Sequence, residues 1–67
     1  SEYNSLWEYV QKSGSPPIKL SFAETRDIAG IAIDHFFLRY QKKLTQYGHQ
    51  VGKFSPKGQT VIFNKID

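Results

Sequence analysis

The chain contains no cysteine and no methionine, three prolines and one tryptophan. Without thiols it forms no disulfide and no thiolate zinc site, a pattern that suits a reducing cytosol. No apolar run approaches the ~20 residues of a membrane-spanning helix, and no signal-peptide pattern opens the chain. A cytoplasmic protein with no membrane association is therefore expected. Charge of one sign is not in large excess either: nine Lys and Arg against six Asp and Glu give a net +3. Such a balance is mildly basic, so the placement of the cations matters more than their total.

The residues of catalysis are also sparse. There is no His-Glu-x-x-His, no Gly-rich phosphate loop and no cysteine nucleophile. His35 and His49 are the only histidines. The expected helix between them spans ~20 Å, too far for a shared metal unless the chain folds back. Asp34 beside His35 suggests a base and its orienting carboxylate. It is explained as a helix cap, however, and adjacent helical residues do not face each other. The expectation is a protein that is not an enzyme, with no catalytic residues, no metal and no cofactor.

What is present is an aromatic load of 15% in 67 residues: Trp7, four tyrosines and five phenylalanines. A chain this short buries only about 60% of its unfolded surface. Each buried aromatic removes roughly 150–250 Å² from water, so a few can substitute for chain length in the core of a single domain.

Tyr3, Leu6, Trp7 and Val10 recur at helical spacing over 3–12, giving a first amphipathic helix. Ser13-Gly14-Ser15-Pro16-Pro17 ends it, because two successive prolines cannot continue the hydrogen-bond ladder. Ile18-Lys19-Leu20 alternates as a short strand does. Ser21-Phe22-Ala23-Glu24 is a capping box that starts a second helix, with Phe22, Thr25, Ile28 and Ala29 inward and Gly30 at its C′ position. Asp34 is the expected N-cap of the longest helix, over 35–47, with Ile33 stapled onto Leu38 and Gly48 ending it. Ser55-Pro56-Lys57-Gly58 then reads as the turn of a terminal hairpin. A three-residue loop with Gly58 in the left-handed bulge position pairs Val51 with Phe63 and Lys53 with Val61.

The order helix, strand, helix, helix, strand, strand is winged helix-like and α+β, with a small antiparallel sheet and the hairpin projecting as the wing. The alternative is another small α+β arrangement, three helices on one face of a three-stranded sheet. At 100° per residue, Ile33, Phe37, Tyr40, Leu44 and Tyr47 of the third helix gather inward, while His35, Arg39, Lys42 and Gln46 lie almost opposite, with Lys43 to one side. Arginine can fork onto guanine, lysine neutralises phosphate, and glutamine can pair with adenine. Lys53 and Lys57 at the wing would reach flanking phosphates. Any solvated helix face carries such residues, and lysine on a sheet edge also guards against aggregation. It is their combination in this order that favours nucleic acid. Phe36, at the margin of the inward arc, either packs under Tyr47 or protrudes beside Lys43.

In overall order the chain resembles the winged helix-turn-helix superfamily. That resemblance implies duplex DNA binding through His35, Arg39, Lys42, Lys43 and Gln46, with Lys53 and Lys57 in the wing. Ser21-Phe22-Ala23-Glu24, then Ile28, Gly30 and the strand Thr60 to Phe63, also resemble small bacterial proteins of unknown function. Two other expectations stand beside a DNA-binding regulator or regulator module. One is a non-catalytic protein-interaction module, marked by exposure of Phe36 and Leu38. The other is an accessory domain that dimerises through its first helix.

Overall fold

The computed structural model describes residues 3–33 and 37–66. The cap assigned to Asp34 and the roles assigned to His35 and Phe36 lie outside the described residues. Among those described, the order is α1 (Asn4–Lys12), β1 (Ile18–Ser21), α2 (Phe22–Ala29), α3 (Phe37–Tyr40), a 3₁₀ segment (Gln41–Tyr47), β2 (His49–Ser55) and β3 (Thr60–Lys65). The protein is thus α+β, with a three-stranded antiparallel sheet in the order β1-β3-β2.

Local chemistry explains the first half. Tyr3, Leu6, Trp7 and Val10 are all buried, as one helical stripe. At α2 the Ser21 hydroxyl accepts from the Glu24 amide at 3.0 Å, and the Glu24 carboxylate accepts from the Ser21 amide at 2.9 Å. The reciprocal pair satisfies two backbone donors that a helix start otherwise leaves open. Thr25, buried on the inner face, donates its hydroxyl to the Phe22 carbonyl at 2.8 Å. Gly30 ends α2 with φ +81°, where a Cβ is disfavoured.

Phe37 is the hub of the core. Its ring meets Tyr3 edge-on at 5.4 Å and Trp7 at 5.7 Å. It also stacks on Phe54 at 5.8 Å and meets Phe63 at 6.5 Å. Phe54 in turn stacks on Phe22. One aromatic cluster therefore joins α1, α2, α3 and both hairpin strands.

Two expectations need correction. The third helix is not one α-helix over 35–47: among the described residues Phe37–Tyr40 is α, and Gln41–Tyr47 is 3₁₀. The Gly48 amide closes the segment, donating to the Thr45 carbonyl three residues back at 3.0 Å and also to that of Leu44, while the Thr45 hydroxyl donates to the Lys42 carbonyl. Its rise is ~2.0 Å per residue against 1.5 Å in an α-helix, which stretches the connection from Phe37 to β2. Leu38, expected to staple onto Ile33, is exposed.

The hairpin register also differs. Val51 pairs with Phe63 as expected, but Lys53 pairs with Ile62 and Phe54 with Val61, because a bulge intervenes between Val51 and Lys53. Ser55 pairs with Thr60, leaving a four-residue turn in which Gln59, not Gly58, takes positive φ, at 55°. The Ser55 hydroxyl accepts from the Gly58 amide at 3.1 Å and holds the turn.

Candidate nucleic-acid interface

Register determines which way each strand residue points. Residues opposite each other on neighbouring strands share a face, and neighbours along a strand alternate. Val61 and Phe63 are buried, so their partners Leu20, Ile18, Phe54 and Val51 face the same core. Lys19 and Lys53, both opposite Ile62, lie on the other face of the sheet. The one-residue bulge is what turns Lys53 outward: the expected pairing with Val61 would have put it on the core face. Lys53 is exposed, but on the face of the sheet away from the helices.

The 3₁₀ segment rearranges the helical cations. At 3.0 residues per turn, side chains three apart align in rows about 120° from one another. Gln41, Leu44 and Tyr47 form the inward row, half-buried, buried and half-buried in turn. Tyr40, expected in that inward set, is 43% exposed, its ring 5.8 Å from that of Tyr3. Lys42 and Thr45 make a second row, and Lys43 and Gln46 a third, all exposed. Arg39 is exposed as well, three residues before Lys42. Gln46 therefore groups with Lys43, not with Arg39 and Lys42. His35 lies outside the described residues.

Lys57 is exposed at the hairpin turn. The turn does not stand clear of the domain: β1 runs beside β3 as far as Thr60, and the Phe22 amide donates to the Gln59 carbonyl at 2.8 Å. A cleft of about 230 Å³ lies there between Phe22, Ala23, Arg26, Ala32, Ile33 and Gln59. His49 is buried, with its Nδ1 3.1 Å from the Tyr47 carbonyl. A carbonyl only accepts, so Nδ1 carries the proton in that contact.

One signal was open to sequence reading and missed. From Phe37 to Ile66 the chain carries Arg39, Lys42, Lys43, Lys53, Lys57 and Lys65 and no acidic residue at all. From Tyr3 to Ile33, Glu8, Glu24 and Asp27 balance Lys12, Lys19 and Arg26. The modest net charge thus conceals a run from Phe37 to Ile66, flanked by Asp34 and Asp67, in which every charged residue is positive, and such charge asymmetry is a mark of polyanion binding. All six of those cations are exposed. Comparison with protein-family models, curated proteins and solved structures finds no match to the chain.

Proposed function

We propose that this domain binds duplex DNA, through the cations of α3 and the 3₁₀ segment and through the hairpin turn, on a winged helix-like scaffold and without chemistry of its own. The observation that carries the reading is the acid-free run from Phe37 to Ile66 with every cation in solvent. A field of one sign raises the local concentration of phosphate, and each phosphate neutralised releases a counterion. Arg39, Lys42, Lys43 and Gln46 are the candidates for the groove, and Lys57 for a flanking phosphate. Lys53 belongs to a different face.

Titration of mixed duplex DNA at two salt concentrations tests the reading. The expected result is affinity that falls steeply with salt; no binding at low salt ends it. On a preferred site Arg39→Ala should cost about 1–3 kcal/mol and relax base preference, while Lys57→Ala should weaken all sequences alike.

A second reading, a protein-interaction module, has its own support. Leu38 and Tyr40 are 37% and 43% exposed on either side of Arg39. Tyrosine and arginine are enriched where proteins meet. Under that reading Leu38→Ser with Tyr40→Ser abolishes the interaction, whereas DNA affinity is absent or indifferent to both.

A further inference from the structure

We infer that the open face of the sheet is a second phosphate-binding surface, through which one molecule holds a second nucleic-acid segment by Lys19 and Lys53. The inference rests on the nucleic-acid reading above and extends it to a site on the opposite side of the molecule.

The geometry comes from register alone. Lys19 on β1 and Lys53 on β2 both lie opposite Ile62 on the central strand, so the three side chains form one row across the outer face. Two strand spacings put the lysine backbones about 10 Å apart. Ser21, Thr60 and Ser55 form the next row, by the same pairings. The core cluster that joins the helices to the sheet, Leu20, Val61 and Phe63 with Leu6, Trp7 and Phe37, lies wholly on the other face. Both lysines are exposed, and neither makes a salt bridge among the described residues.

The chemistry of the row selects its occupant. Lysine ammoniums and serine and threonine hydroxyls are donors to phosphate oxygens. No strand carries a carboxylate, and the one beside these rows, Glu24, is engaged by the Ser21 amide at 2.9 Å at the far end from the two lysines. The outer rows hold no aromatic ring, so bases have nothing to stack on and the contact is to the phosphodiester backbone.

The sheet lysines and the cations of the 3₁₀ segment belong to different faces of the fold. Leu44 of the 3₁₀ segment is buried in the cluster on the core side of the sheet, so Lys19 and Lys53 lie on the sheet face turned away from that cluster. A duplex engaged at Lys42 and Lys43 leaves Lys19 and Lys53 pointing away from it, toward a second segment.

The test uses the full chain with two duplexes, one labelled with a fluorescence donor and the other with an acceptor. The expected result is energy transfer on mixing, at protein concentrations where each duplex is bound. Lys19→Gln with Lys53→Gln should keep single-duplex binding and lose the transfer, while Lys19→Arg with Lys53→Arg should keep both. Both positions are solvent-facing, and an unchanged circular dichroism spectrum verifies the fold. Duplex binding without transfer in the unaltered protein overturns the second surface and leaves the first reading standing. Transfer that survives in the Gln variant also overturns it, since bridging would then come from self-association. No binding to either duplex removes both.

Discussion

Glu24 shows how much one side chain can do at this size. Its carboxylate accepts the Ser21 amide while the Ser21 hydroxyl accepts the Glu24 amide. The hydrogen bond from the Ser21 backbone, and then that with its side chain, hold the carboxyl below the usual glutamate value of 4.5. A group whose folded value is depressed contributes stability above its unfolded value and loses it as pH falls through the folded one. The stability difference between the unaltered protein and Glu24→Gln should therefore shrink as pH is lowered below about 4.5, and be constant above it. Urea denaturation of both proteins across that range checks this, and a gap independent of pH would exclude the capping carboxylate as its source. Residues of this kind are legible in sequence because both partners lie within one turn. Gly30 and Gly48, at φ +81° and +80°, are legible for the same reason.

At the scale of the element, local rules hold until a neighbouring element competes. The periodicity of 33–47 places Phe37 and Leu44 inward, and both are buried. It misplaces Tyr40, the last α-helical residue, which is exposed, while Gln41 takes an inward position as the winding changes from 100° to about 120° per residue. The hairpin strands are equally clear, yet their register slips by one at the bulge. Gly52 sits there without a side chain, and a Cβ at this position would collide with the Asn64 amide. Gly52→Ala should cost about 1 kcal/mol, since Asn64 must swing away, and in an Asn64→Ala background the cost should vanish. A double-mutant cycle in urea measures the coupling; equal costs in the two backgrounds would place the strain elsewhere. The bulge matters beyond stability because it decides on which face Lys53 emerges.

At the scale of the whole molecule, 67 residues leave a stability of about 3–10 kcal/mol, and one aromatic hub spans the helices and the sheet. Phe37→Ala should cost about 3–5 kcal/mol, a large share of that margin. Phe54→Ala, at a half-buried position, should cost clearly less. Denaturation midpoints that fall equally would show that the cluster has no hub. By itself the sequence determined the inward stripe of α1, the capping box, the two glycine stops, the hairpin and the acid-free run from Phe37 to Ile66. Each of these is set by side chains within a few residues of one another, or by composition. Only the tertiary structure decided that the third helix stretches into 3₁₀ geometry and that the turn is tied to α2 at Gln59. It also decided that Lys53 joins Lys19 across the sheet from the helical cations. Those outcomes depend on where distant segments meet, and a one-residue shift in strand pairing, invisible to any local pattern, exchanges one face of a sheet for the other.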